Sequence, residues 1–277
     1  SYFAGSPGEG TKQGLVANAN TLVVSNSYFK DFKDTSNDAM PIIIWNAAGP
    51  FLIKNNYLEG SGENMIVGGG DPSISQLVPG MNVGSGPECP ADFGQGPVYA
   101  GLCVTQNYFF KPTQWATDTS TQRGASFRKH WRIKNLFELK NAENVVVDGN
   151  VFENNWIQAD QQGFAIVFTP RNQSGGCPWC KIQNVAFANN LVKNSIAGFN
   201  LLVTDDINPS GQLSNVTVQN NLFVNINATA APSGTSAADR AGRLVQFLNP
   251  WPNYSSKANP TGPMNVTMDH NTAFSTR

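Results

Sequence analysis

The chain has 277 residues, a formal net charge of −1 and only 13% charged residues. Nucleic-acid-binding proteins normally show a basic patch or an elevated isoelectric point, so this composition argues against that class. A disordered chain is also disfavoured, because 40% of the residues are hydrophobic and the net charge is small. No run of about 18 apolar residues is present, so we predict no membrane insertion.

One pattern recurs from the start of the chain to its end. It consists of a short, often β-branched apolar run, a polar pair ending in Asn or Ser, and two apolar or aromatic residues. Self-similarity of this kind predicts a repeat architecture. The tripeptide at 1–3 repeats the one at 27–29 and is interpreted as the tail of an eighth copy. The seven longer copies lie at 22–29, 51–58, 102–109, 145–152, 185–192, 216–223 and 266–271.

A second strand-like run separates successive copies, and no helical period lies between them, which disfavours βαβ folds. One repeat cannot bury its own apolar face, whereas stacked copies form a continuous core of parallel strands. We therefore predict an all-β right-handed parallel β-helix (a solenoid) with an Asn ladder and long loop insertions. We expect residues 1–277 to form one domain that is a segment of a longer β-helix. The second runs lie at 42–45, 64–67, 136–140, 164–168, 199–203 and 244–248.

The repeated Asn is expected at the same corner of every rung. Its amide can donate to one neighbouring copy and accept from the other, and Asn tolerates the left-handed conformation that a tight corner demands. The alternative is a β-sandwich with coincidental Asn turns. Sandwich turns do not repeat one residue in one register, so we favour the β-helix over it. The predicted column is Asn56, Asn107, Asn150, Asn190 and Asn221.

Long insertions interrupt the rungs, and long loops on a rigid scaffold usually carry function. The four cysteines are an even count, which indicates two disulfides and an oxidising compartment. We expect a local bridge between Cys177 and Cys180, with Cys89 and Cys103 forming the other. The predicted location is secreted, either extracellular or periplasmic. The insertions lie at 71–99, 111–131, 171–181 and 227–241.

Seven segments of the chain stand out: NNYLE at 55–59, GEN at 62–64, GGGDP at 68–72, FFKP at 109–112, NLFELKNA at 135–142, GNVFENNW at 149–156 and TPRNQ at 169–173. They resemble a group of bacterial secreted right-handed parallel β-helix proteins with the pectate-lyase-like superfold. The resemblance covers most of the chain and implies the fold, but it implies little about activity. It also implies that the rungs continue beyond both ends. Open strand edges invite pairing, so end-to-end stacking into filaments is a further expectation.

Many β-helix enzymes cleave acidic polysaccharides by elimination, which needs neutralisation of the carboxylate, a base and an acid. Lys140 and Arg171 end corresponding strands of adjacent rungs and are the candidate catalytic residues, an arrangement similar to that of β-helix alginate and chondroitin lyases. Glu138 shares a strand face with Lys140 and is a candidate for substrate binding. Asp71, with Glu63 or Glu138, could hold Ca²⁺ through oxygen ligands. The competing interpretation is a surface ion pair of Glu138 with Lys140 or Arg171, and it ranks above catalysis.

Two other sets of residues bear on sugar binding. Lys129, His130 and Arg132 form a basic cluster that could bind an acidic sugar, although a solvated loop is the competing interpretation. Trp179 could stack on a sugar ring, whereas Trp131 and Trp156 are better interpreted as core packing. A polygalacturonase-type hydrolase is rejected, because the basic and Asp motifs at 132–134 and 205–206 occur in the reverse of that family's order.

Three classes of function remain open. The first is a protein that acts on or binds polysaccharide, either as a lyase of acidic glycans or as a catalytically silent binder. The second is a structural or adhesive extracellular protein that stacks end to end. The third is a module of a larger secreted enzyme whose active site lies elsewhere. The analogy of fold favours the first.

Overall fold

The computed structural model describes residues 1–74, 101–121, 129–233, 235, 241–249 and 264–275. Their strands form three sheets, named A, B and C in the order in which the chain visits them. Sheet A contains Tyr2–Ala4, Tyr28–Phe32, Tyr57–Gly60, Tyr108–Phe110, Val151–Asn155, Leu191–Ser195, Leu222–Ile226 and Thr272–Phe274. Sheet B contains Gln13–Val16, Met40–Ile44, Met65–Val67, Phe137–Leu139, Phe164–Phe168, Ala197–Leu202 and Val245–Leu248. Sheet C contains Leu22–Ser25, Phe51–Lys54, Leu102–Thr105, Ala142–Asp148, Ile182–Ala188, Leu213–Gln219 and Met264–Asp269.

All strand pairs within the sheets are parallel, and each strand pairs with its counterparts one turn earlier and one turn later. The chain is therefore a right-handed parallel β-helix, as predicted from the repeat. Each predicted copy supplies a strand of sheet C followed by one of sheet A, and the second runs form sheet B. The tail at 1–3 is also confirmed, because Tyr2 pairs with Tyr28 and Phe3 with Phe29. The strand Gln13–Val16 was not predicted, because only two of its four residues are apolar.

Stacking of equivalent inward positions builds the core. In sheet A, Phe109 lies above Phe152 with ring centroids 4.5 Å apart, and both side chains are fully buried. Phe152 then contacts Phe187 of sheet C at 5.6 Å, so aromatic packing joins the sheets across the interior. Complete burial of such a side chain contributes roughly 1.5–3 kcal/mol. Two short 3₁₀ helices, Thr113–Ala116 and Ala228–Ala230, complete the described elements.

The predicted Asn ladder is present at the corner between sheets C and A. The Nδ2 of Asn56 donates to Oδ1 of Asn107 at 3.0 Å and to the carbonyl of Val24 at 2.9 Å. The backbone N–H of Asn56 donates to the same Oδ1 at 3.0 Å. The same set of bonds recurs at each step, so the ladder satisfies both chain and side-chain polar groups in a buried place. Its members are Asn56, Asn107, Asn150, Asn190, Asn221 and Asn271.

The left-handed position was assigned to the wrong residue of the turn. The ladder Asn is not left-handed; the residue before it is, for example Asn55 at φ 53° and Asn189 at φ 56°. The preceding residue turns the chain, and the ladder amide is thereby free to point inward. A second, exposed column of left-handed Asn residues runs through the strands of sheet C, with amide bonds of 2.9–3.0 Å between successive members. This column is Asn144, Asn184, Asn215 and Asn265.

The cysteines agree with the prediction where they can be followed. Cys177 and Cys180 form a disulfide at the loop after sheet B. Cys103 is buried in sheet C. Cys89 lies outside the described residues, so its pairing with Cys103 stays a prediction.

Within the described ranges, no helix has the length and apolar character needed to span a membrane. Aromatic side chains are exposed on the first and last described strands of sheet A, Tyr2 at 65% and Phe274 at 52%. End-to-end stacking stays a prediction, as does the assignment of residues 1–277 to one domain.

Candidate functional site

A groove of about 690 Å³ lies over the outer face of sheet B. Its lining extends from Lys12 and Gln13, at the first strand of that sheet, to Ile207 in the segment after the sixth. Neighbouring parallel strands lie 4.7–4.9 Å apart, so five steps correspond to roughly 24 Å of groove length. The charged residues that line it are Lys12, Arg132, Lys134, Lys140, Arg171, Asp38, Asp160 and Asp205.

The β-helix brings Lys140 and Arg171 together, as the sequence predicted. Both follow sheet B strands of adjacent rungs, and the N–H of Arg171 donates to the carbonyl of Lys140 at 2.9 Å. Gly68 of the preceding rung has φ 95°, and a Cβ there would lie 2.8 Å from both the Asn141 nitrogen and the Lys140 Cβ. The Gly68-Gly69-Gly70 run therefore allows the chain to pass closely beneath Lys140.

Lys140 forms an ion pair with Glu138, which is the contact that the competing interpretation predicted. Its Nζ lies 2.9 Å from Oε1 of Glu138, and Nδ2 of Asn135 donates to the other carboxylate oxygen at 3.2 Å. Burial acts to raise the pKa of Glu138, but the charges of Lys140 and Lys134 outweigh it and lower that pKa below its ordinary value. The expected surface position is wrong, since the Glu138 side chain is only 1% exposed. It lies beneath the groove lining because Lys140 covers it.

Arg171 pairs with two Asp residues and not with Glu138. Its Nη1 donates to Oδ1 of Asp205 at 2.8 Å and also to Oδ1 of Asp206. Asp205 is fixed in turn, because its carboxylate accepts the N–H of Asn172 at 2.7 Å and that of Ile207 at 2.8 Å. The Asp pair thus forms a turn, in agreement with the rejection of a hydrolase motif.

At the other side of the groove, Asp38 connects two cations. Arg132 Nε donates to Oδ1 of Asp38 and Lys134 Nζ to Oδ2, each at 2.8 Å. Burial acts to raise the pKa of Asp38, but Lys134 and Arg132 lower it overall. Lys134 also lies 2.9 Å from Oε1 of Glu63. Arg132 contacts Asp160 with its Nη2, again at 2.8 Å.

The residues predicted to hold Ca²⁺ are engaged elsewhere. The carboxylate of Asp71 accepts the N–H groups of Ser174 and Gly176, at 3.1 and 2.8 Å, and so ties down the disulfide loop. Glu63 is fully buried beside Lys134. Within the ranges that the structure describes, no group of three His, Cys, Asp or Glu residues is arranged to hold a metal ion. The donor set does not fit calcium, and no step is assigned to it.

The predicted sugar-binding residues separate into two groups. Arg132 lines the groove. Lys129 and His130 are exposed, on a segment in which His130 forms an isolated antiparallel β-bridge with Thr119. Trp179 is 39% exposed on the disulfide loop and is not among the groove-lining residues of the described chain. The sequence spacing could not show this, because these residues belong to insertions outside the rung register. Trp131 and Trp156 are buried in a side cluster of apolar residues, so their assignment to packing agrees with the structure.

Trp45 is one of the groove residues that the sequence did not single out, together with Asp38 and Asp160. It follows the strand Met40–Ile44 and is half-buried, and a Cβ added at Gly70 of the next rung would lie 3.4 Å from its indole ring. The apolar run at 42–45 predicts a strand that includes Trp45, whereas only tryptophans near long loops are candidates for stacking on a sugar. The position of Trp45 after Ile44, an inward residue, was a usable signal, because alternation makes the next residue face outward. The groove therefore has an aromatic surface among cations, carboxylates and the amides of Gln13, Gln161 and Gln173.

Indole surfaces, guanidinium groups and side-chain amides are suited to a long, hydroxyl-rich ligand with acidic groups, because they combine apolar stacking with directional hydrogen bonds. No family model matches the chain, and neither the curated proteins nor the solved structures contain a match.

Proposed function

We propose that this is a secreted β-helix protein of the pectate-lyase-like group that binds an acidic polysaccharide along the groove over sheet B. The observation that carries the proposal is the position of Trp45 among Arg132, Lys140 and Arg171 in one groove that crosses several rungs. Long clefts suit chain-like ligands, and a scaffold of parallel strands keeps their binding groups in a fixed register.

The chemistry of the lining supports an acidic glycan over a neutral one. A guanidinium group matches a carboxylate with two parallel hydrogen bonds, and the groove contains two such groups. Trp45 can stack on the apolar face of a sugar ring, and the Gln amides can bond to its hydroxyl groups. None of these contacts requires a metal ion.

A lyase of acidic glycans is the second candidate, favoured by Lys140 and Arg171 on adjacent rungs of the same groove. In an elimination, a base removes the proton next to the carboxylate, the bond from the ring to the leaving oxygen breaks, and that oxygen takes up a proton. An ammonium group has no lone pair with which to accept a proton. Because Lys140 is ion-paired with Glu138, it would first have to lose its proton, so binding is the better-supported function.

Binding is tested by titrating the protein with a panel of polyuronates, glycosaminoglycans and neutral glycans. Lyase activity is tested on the same panel by following the ultraviolet absorbance of the unsaturated product. We expect affinity for at least one acidic glycan, reduced at least tenfold in Trp45→Ala and unchanged in Trp179→Ala. Absorbance that rises with wild type but not with Lys140→Ala would establish the lyase. Absence of binding across the panel, or equal losses in both Trp variants, would overturn the groove assignment.

A further inference from the structure

Each arginine of the groove contacts two carboxylates that differ in exposure. Arg132 uses Nε for Asp38 and Nη2 for Asp160, both at 2.8 Å. The side chain of Asp38 is 36% exposed and also accepts from Lys134, whereas that of Asp160 is 62% exposed. We call Asp38 the inner and Asp160 the outer carboxylate of this arginine.

Arg171 repeats the arrangement on the other side of the groove. Its inner carboxylate is Asp205, which has a side-chain exposure of 1% and is fixed by two backbone N–H groups. Its outer carboxylate is Asp206, which has a side-chain exposure of 44%. Both outer residues lie in connecting segments that follow a strand, Asp160 after Val151–Asn155 and Asp206 after Ala197–Leu202.

The two kinds of carboxylate have different consequences for binding. A carboxylate that other groups also hold, as Lys134 holds Asp38 and two backbone N–H groups hold Asp205, fixes the guanidinium group in one orientation. An exposed ion pair is worth little, because water screens it and holding two side chains together costs conformational entropy. An incoming anion can therefore replace the outer carboxylate at small cost while the inner one keeps the arginine in place.

From this geometry we propose that Arg132 and Arg171 are two anion subsites of the groove, and that Asp160 and Asp206 occupy them in place of the acidic groups of the glycan until it binds. This inference rests on the proposed function. It makes the outer residues determinants of specificity, because only a ligand with its own anionic groups recovers the contacts that it displaces. A neutral glycan gains nothing from the exchange.

The test compares Asp160→Asn, Asp206→Asn and the double variant with wild type. Asp269→Asn is the matched control, since Asp269 is also an exposed acid beside a basic side chain, with Nδ1 of His270 at 2.8 Å, but lies on sheet C. Affinities are measured by calorimetry for a polyuronate, a sulfated glycan and a neutral glycan, and circular dichroism checks that each variant is folded. A weak exposed ion pair predicts about two- to fivefold tighter binding of acidic glycans per substitution. Neutral-glycan binding and the Asp269→Asn control should not change.

Tighter binding of the polyuronate alone would assign the subsites to carboxylates, and tighter binding of both acidic ligands would assign them to anions in general. The inference is overturned if wild type binds an acidic glycan but the outer variants bind it no more tightly. It is also overturned if Asp269→Asn tightens binding equally, which would be an effect of net charge. The proposed function itself fails if neither wild type nor the double variant binds any acidic glycan.

Discussion

Replacing Asn150 by Ala removes the centre of the Asn ladder. In the folded protein, Asn150 Nδ2 donates to the carbonyl of Val104 at 2.8 Å and to Oδ1 of Asn190 at 3.0 Å. Its Oδ1 accepts the backbone N–H of Asn107 at 2.8 Å. The site is buried, with Asn150 only 1% exposed, so water cannot replace the missing partner.

The size of the effect follows from the groups left behind. The variant loses the bonds to the Asn107 N–H and the Val104 carbonyl, and a buried group without its partner costs roughly 1–3 kcal/mol. We therefore expect Asn150→Ala to lower the free energy of unfolding by about 2–6 kcal/mol. Chemical denaturation followed by tryptophan fluorescence measures it, with the midpoint and the slope fitted separately.

Asn184→Gly is the control for this prediction. Asn184 is an exposed Asn with φ 55° whose amide bonds to Asn144 and Asn215 of the outer column. Glycine adopts that conformation freely, so the expected loss is less than about 1 kcal/mol. Equal losses in the free energy of unfolding for Asn150→Ala and Asn184→Gly would refute this argument. They would show that the stability contributed by the ladder does not depend on its burial.

Two further predictions concern the residues beneath the groove. Burial raises the pKa of Glu63 to about 7 from an ordinary 4.5 in spite of Lys134, so the folded state favours the protonated acid. The contribution of Glu63 to the free energy of unfolding is therefore complete below pH 4.5 and is lost as the pH rises through about 7. Across that pH range, wild type should lose stability relative to Glu63→Gln. Parallel curves of stability against pH for the two proteins would contradict this. Gly68→Ala should destabilise more than Gly149→Ala, because both have positive φ but a Cβ at Gly149 meets only Gln106, at 3.9 Å. Thermal unfolding of the two variants compares them, and equal shifts in Tm would show that the contact with Lys140 is unimportant.

The fold was predictable because stacked rungs require the same kind of residue at the same position in every repeat. Every rung needs a polar group at the corner between sheets C and A, so Asn56 and Asn150 stand in the same place of the repeated pattern although they are far apart in the chain. Lys140 and Arg171 were predictable for the same reason, since both follow paired strands of sheet B, Phe137–Leu139 and Phe164–Phe168. The position of the left-handed residue was not, because both residues of the polar pair are often Asn.

The ion partners of the groove could not be predicted in this way. Asp38 and Arg132 are 94 residues apart, and both lie in segments between strands. No repeat fixes the register of such segments, and their paths depend on packing against the neighbouring rungs. The burial of Glu63 and Lys111 shows the same limit. Lys111 is 0% exposed, with its Nζ 2.5–2.9 Å from the carbonyls of residues 60–62, although its sequence position suggested a polar loop.

The most direct test of the proposed function is a crystal structure of the protein with an acidic oligosaccharide from the panel. We expect the sugar chain to lie across the rungs of sheet B, with a ring on Trp45 and acidic groups near Arg132 and Arg171. A sugar chain bound on the outer face of sheet A or C, with these three side chains unchanged, would contradict the assignment of the groove.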